Sequence, residues 1–152
     1  VLSCLVTYNQ IYQHSKSIRD FKQSREELTM RSKVGWVLSV LPSILLIFSG
    51  VNKVMGTEEV FSSLQHFGIN PDHIRALGLV EILITLIYLM PRSSFIGAIL
   101  ITGWMGGAIF THLRVGDPFI MQVIIPILVW IGFGLRHYNE ILPLLGLRKP
   151  FR

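Results

Sequence analysis

Residues 96–108 read IGAILITGWMGGA, a stretch with no charge and no polar face recurring from turn to turn. A soluble helix turns a polar stripe to water; one that is apolar all round is surrounded by core or by lipid. The run extends from Phe95 to His112, and three others share its character: Val34–Ser49, Ile74–Met90 and Phe119–Leu135. Each is close to the length that crosses a hydrocarbon core of ~30 Å, about 17–25 residues. The four runs predict an all-α fold, a transmembrane four-helix bundle with spans at about 34–51, 74–90, 94–113 and 119–136.

Composition agrees. Hydrophobic residues make up 51% of the 152 and charged residues 15%, with a mean hydropathy of +0.53, against about 25% charged in soluble domains. The net charge of +5 would suggest nucleic acid in a soluble protein. Here the basic residues flank apolar runs and are not interleaved with exposed aromatics, so nucleic-acid binding is rejected. The one cysteine, Cys4, excludes an intrachain disulfide or a thiol pair.

Three segments follow. Residues 1–29 form a polar arm of mixed charge (Lys16, Arg19, Asp20, Lys22, Arg25, Glu26, Glu27), read as a cytosolic arm with little fold or as an extension upstream of a natural start at Met30. A surface-lying amphipathic helix is the alternative. Its charges follow its short apolar start, the reverse of a secretory signal. Residues 30–140 hold the spans, and 141–152 form a basic tail. Arg31, Lys33, Arg92, Arg136, Arg148, Lys149 and Arg152 place both termini and the turn between spans two and three in the cytoplasm by the Lys/Arg excess. The other loops, with Glu58, Glu59, Asp72 and Asp117, then face outward. The implied location is the cell membrane, as a multi-pass protein.

The first outer loop predicts a short amphipathic helix. Thr57 is its expected cap, Glu58 and Glu59 fill its first turn, and Val60, Phe61, Leu64 and Phe67 share one face before Gly68. Asn70 then caps span two, with Pro71 in its first turn. Within lipid, helices associate through small residues. Gly35, Ser39 and Ser43 form such a stripe on span one, and Gly103 and Gly107 on span three; contacts inside the bundle are expected, with contacts between protomers the alternative. Pro42 and Pro126 favour kinks. Trp36, Trp104, Trp130 and Tyr138 are read as interfacial anchors rather than ligand contacts.

Glu81 is the most telling residue. It lies about two turns into span two, among Leu79, Val80, Ile82 and Leu83, where a charge costs at least ~2.5–3.5 kcal/mol and demands a partner. The topology offers Asn52 and Lys53 at the end of span one, His112 at the end of span three and Gln122 in span four. Together these five predict an outward-facing polar pocket. Three readings compete: an ion pair that locks helix register, a site for a lipid, quinone or other amphipathic molecule, and a proton or ion path. The path is weakest, because only Thr85, Tyr88 and Thr102 continue it inward. No catalytic residue, metal set or cofactor is predicted: His66 and His73 lack further ligands at zinc spacing, and no nucleophile triad, phosphate loop or dinucleotide fingerprint is present.

Several stretches resemble the DoxX-like family of small four-span membrane proteins: Phe48-Ser49-Gly50 with Lys53, Leu77-Gly78-Leu79-Val80-Glu81, Pro91-Arg92 with Gly97-Ala98, and above all Gly107-Ala108 followed by Thr111-His112-Leu113-Arg114-Val115-Gly116-Asp117-Pro118. The resemblance covers Val34 to Leu135. It implies a four-helix bundle in the bacterial cytoplasmic membrane, in a family most of whose members have no established activity. The family's name derives from a subunit associated with quinol oxidation and thiosulfate:quinone oxidoreduction. This chain has no haem-ligand histidine pair and no reactive cysteine motif, so that activity is not carried over. The expectation is a non-enzymatic accessory or small-ligand-binding membrane subunit whose surroundings are the bilayer and, as partners, another membrane subunit or a second copy. The alternative is the membrane subunit of a quinone-linked oxidoreductase, with quinone as its cofactor.

Overall fold

The computed structural model describes residues 2–138, 140, 141 and 146, with side chains from Tyr12 onward. Among them the fold is all α, without strands. Five helices follow in order: α1 (Leu2–Met55), α2 (Glu58–His66), α3 (Pro71–Leu89), α4 (Ser94–Val115) and α5 (Ile120–Arg136). The helix α1 and the 22-residue α4 are long and apolar enough to cross a membrane; α5 is apolar but has 17 residues. The 19-residue α3 carries Asp72, Arg75 and Glu81.

The arm expected to have little fold is helical and continuous with the first apolar run. Between Tyr12 and Lys33 there is no glycine or proline, and a helix nucleated in the apolar segment propagates until something stops it. The tail 141–152 lies outside the described residues except for Ile141 and Gly146.

The turns explain where the chain reverses. Gly68 (φ 70°) closes α2: its N–H donates to the Gln65 carbonyl at 2.8 Å, and the Ile69 N–H to the Leu64 carbonyl at 3.0 Å. That pair of bonds requires a left-handed residue, which glycine supplies without strain. Gly116 (φ 80°) closes α4 in the same manner, with the Asp117 N–H on the His112 carbonyl. The Asn70 side chain accepts from the Asp72 N–H at 3.0 Å and starts α3, with Pro71 at its first position. Thr57 occupies the cap position of α2 but makes no side-chain cap bond, contrary to expectation.

α1, α3, α4 and α5 pack in a ring in that order, with α2 laid against α1 and α3. The core is formed by Leu46, Ile84, Tyr88, Ala98, Ile101, Met105, Val129 and Phe133. Absent side chains set the helix separations. A Cβ on Gly78 of α3 would lie 2.6 Å from the Gly50 carbonyl oxygen of α1. One on Gly132 of α5 would lie 2.5 Å from Ser39 Oγ, and one on Gly35 would lie 2.8 Å from the Arg136 backbone nitrogen. Gly97 lets α4 rest directly on the backbone of Tyr88. Gly35, Ser39 and Ser43 are thus buried at or beside the α1–α5 seam. Gly103 and Gly107 are not in a seam: both are exposed, and a Cβ at either would meet nothing within 4 Å. The expectation that they pack inside the ring is corrected. Spacing identifies a small-residue stripe on a helix but not the direction it faces, and Gly97, Ala98, Ile101 and Met105 hold the inward face of α4.

The outside of the ring is greasy. Phe48 is 67% exposed and Phe110 69%, and Leu79, Leu83, Ile96, Ile99, Ile120 and Ile131 are exposed with them. Apolar surface on this scale belongs against another apolar phase.

Candidate functional site

Near the Lys53 end, the ring encloses a cavity of about 420 Å³ under α2. That volume falls in the range of small-molecule sites, about 300–1,000 Å³. Its walls are mainly apolar: Leu45 and Leu46 from α1, Leu77 from α3, Trp104 and Met105 from α4, and Ile125 from α5, with Leu64 and Phe67 from the α2 region above.

Two polar pairs interrupt this lining. The first joins α1 to α3. Lys53 Nζ lies 2.5 Å from Glu81 Oε2, and Lys53 also donates to Ser49 Oγ at 2.9 Å. The Ser49 hydroxyl reaches the same carboxylate oxygen at 3.3 Å. The Glu81 side chain is 3% exposed and that of Lys53 19%. The flanking turns bring them together: Gly50 and Gly78, at nearly one height, let the two backbones touch, and a Cβ on Gly78 would lie 2.8 Å from the Lys53 Cβ.

The second pair joins α4 to α5. His112 Nδ1 lies 2.9 Å from the Ala108 carbonyl, so that nitrogen carries the proton. His112 Nε2 is then the acceptor for the Gln122 amide N–H at 3.0 Å. Gln122 Oε1 is buried and has no partner among the described residues. The Phe67 ring stacks on the His112 ring, with centroids 4.5 Å apart. α2 is fastened above by Arg114, which donates to the Phe67 carbonyl, and by His66 beside Asp117 at 3.3 Å.

Of the five residues proposed to share a pocket, Lys53, Glu81, His112 and Gln122 line the cavity, and Asn52 does not. Asn52 precedes Lys53 by one residue, about 100° around the helix, and is thereby turned off the cavity wall. Within that space the polar groups form two separate pairs, Lys53 with Glu81 and His112 with Gln122. Trp104, expected to be an interfacial anchor, stands mid-helix in the cavity wall. Phe67, Thr111 and Trp104 line the cavity although the sequence assigned none of them to it. Only the α2 face that carries Phe67 signalled one of them.

At the opposite end Tyr88 is fully buried, its hydroxyl 2.8 Å from both Ser39 Oγ and the Val129 carbonyl. Ser39 in turn donates to the Gly35 carbonyl at 2.8 Å. This ties α3 to both α1 and α5 below the cavity.

A ring of apolar helices with a greasy exterior and, at one end, a mainly apolar cavity holding two polar pairs defines a membrane protein with an internal ligand-sized space. The sequence model of the DoxX-like family matches residues 37–133, well over half of the chain, and the protein belongs to that family. The match reaches into all four helices of the ring, from within α1 to within α5, and takes in every polar residue of the cavity. Comparison with curated proteins and with solved structures finds no match.

Proposed function

We propose that this DoxX-like protein is a four-span bundle of the cell membrane that holds a small amphipathic molecule in the cavity between its helices. It acts as an accessory, ligand-binding subunit rather than as a catalyst. The observation that carries this reading is the unpartnered Gln122 Oε1 in the wall of a ligand-sized cavity. A buried acceptor left without a donor costs about 1–3 kcal/mol, and a bound hydroxyl or amide N–H would offset it. Lys53, with Glu81 and Ser49 satisfied, has a third N–H for the same head group. The apolar walls would take its hydrocarbon part.

Orientation follows from the charges. Arg31, Lys33, Arg92 and Arg136 gather at the end away from the cavity, and this Lys/Arg excess supports an orientation with both termini in the cytoplasm and the cavity toward the outer leaflet. The cavity also accommodates the quinone reading. Phe67 and Trp104 supply aromatic faces for a ring, and the Lys53 ammonium a donor for a carbonyl oxygen.

Mass spectrometry of the organic extract of protein purified in mild detergent tests the proposal. A defined amphiphile is expected at near one per chain, and Ala108→Leu, which adds volume to the cavity wall, is expected to lose it while the protein stays folded. An extract that holds only bulk lipid in both proteins would refute the reading. A redox-active quinone in the extract would select the oxidoreductase alternative.

A further inference from the structure

At the far end of the ring, α1 meets α5 around a second, smaller cavity of about 170 Å³. Arg31 and Ser32 line it from α1, and Arg136, His137, Tyr138 and Glu140 from the end of α5 and the turn after it. Each guanidinium is set against aromatic rings. That of Arg31 lies over the Tyr138 ring, 4.7 Å from its centroid. That of Arg136 lies near Trp36 and Tyr88, 4.6 and 5.0 Å from their centroids. Aromatic faces hold a guanidinium by its flat side and leave its N–H edge for a ligand.

The edges are underused. Arg136 Nη2 reaches the Tyr88 carbonyl at 3.3 Å, but its Nε and Nη1 are buried and have no partner among the described residues. Among the described residues no carboxylate stands within 4.0 Å of either arginine: the paired carboxylates, Glu81, Asp117 and Glu140, meet Lys53, His66 and His137 instead. Among the described residues Glu140 is the one acid on the cavity, and it turns outward, 78% exposed, to meet His137 Nδ1 at 3.1 Å. Two positioned cations, one with buried donors unmet, thus face a common space without a counter-ion among the described residues. A desolvated charge without one is costly.

The height of this cavity narrows the choice of anion. Arg31 stands three residues before the apolar run that begins at Val34, and Arg136 is the last residue of α5. The two therefore sit at the edge of the apolar exterior, the level of lipid phosphates. Arginine's planar fork matches phosphate oxygens, two bonds at a time. We infer that this cavity is a phosphate-binding site, in which Arg31 and Arg136 clamp the phosphate of an anionic lipid head group or a free phosphate ion and Ser32 adds a neutral donor. The site is independent of the cavity under α2.

Native mass spectrometry of the full chain in mild detergent tests this by titration with dioctanoyl phosphatidylglycerol, dioctanoyl phosphatidylcholine and inorganic phosphate. Saturable one-to-one binding of the anionic lipid, tighter than that of the zwitterionic one, is expected. Arg31→Gln should weaken it at least about tenfold, the factor one charge-assisted hydrogen bond supplies. Arg31→Lys should recover part of the loss. Arg136→Gln should act alike, and where it disturbs folding the exposed Arg31 decides the matter. Lys33→Gln, a neighbouring basic residue outside the cavity, should leave affinity unchanged. Equal binding of inorganic phosphate would identify the free ion as the ligand. Absence of saturable binding by any anion, or an equal loss in Lys33→Gln, would overturn the site.

Discussion

Replacing Glu81 by leucine removes the carboxylate and leaves Lys53 without its counter-charge. The bond lost is short, 2.5 Å, between side chains 3% and 19% exposed. Removing one member of a buried pair costs about 3–5 kcal/mol, much of it the penalty for the charge left behind. Lys53 softens that penalty. It keeps its 2.9 Å bond to Ser49, and its four-carbon stem lets the ammonium swing toward the polar boundary. The expected loss is therefore at the lower edge of the range, about 3 kcal/mol. The double variant Lys53→Met/Glu81→Leu should return to within about 1 kcal/mol of the parent, since an apolar pair avoids both desolvations. Glu58→Leu, at an exposed first-turn position of α2, should cost less than about 1 kcal/mol. Unfolding by SDS in mixed micelles, followed by tryptophan fluorescence, measures all four proteins. If Glu81→Leu is no worse than Glu58→Leu, or if the double variant is as unstable as the single, the pair is not what holds α1 to α3.

Two further outcomes are expected. Gly97→Ala should cost about 1–3 kcal/mol, because a methyl there meets the Tyr88 backbone in a site that cannot expand, whereas Gly103→Ala, which meets nothing, should be neutral or gain up to about 1 kcal/mol from helix propensity; the same unfolding assay compares them, and equal effects would refute the assigned faces of α4. Arg114→Ala removes the bond to the Phe67 carbonyl, so amide hydrogen exchange in 58–66 should quicken about tenfold, as expected for losing a charged hydrogen bond of ~1.5 kcal/mol, with α4 itself unchanged; unaltered exchange in α2 would show that Arg114 does not fasten it.

What the amino-acid order revealed, and what it hid, follows from the kind of signal each feature emits. The apolar runs are legible because length and absence of charge are properties of one strand of sequence. Asn70-Pro71 and Gly68 are legible because caps act within four residues. Glu81 stands out because a carboxylate among Leu79, Val80, Ile82 and Leu83 needs a partner, and helix polarity narrows the candidates to one end. The choice among them is another matter: whether Asn52 or Lys53 faces α3 depends on a rotation of one residue. Gly50 and Gly78 give no warning of a crossing, since neither belongs to a small-residue stripe at intervals of four and only their juxtaposition gives them that meaning. Gly103 and Gly107 have the right spacing on a face that the ring leaves open. A helical arm is the alternative reading, but its continuity with the first span is not legible, because a polar segment of mixed charge does not show that it continues a helix started elsewhere. In the sequence Tyr88 is only one of three polar groups inward of Glu81, and its links to Ser39 and Val129 cross 49 and 41 positions of chain.

The near-contact of Gly50 with Gly78 ties two kinds of inheritance together. Any side chain at position 78 would wedge α1 from α3, and a separation of even one or two ångströms would turn the 2.5 Å bond between Lys53 and Glu81 into a pair with water between them. Lineages that acquire bulk at that crossing therefore gain nothing by retaining the charges, and drift should discard both charged positions soon after the glycine is gone.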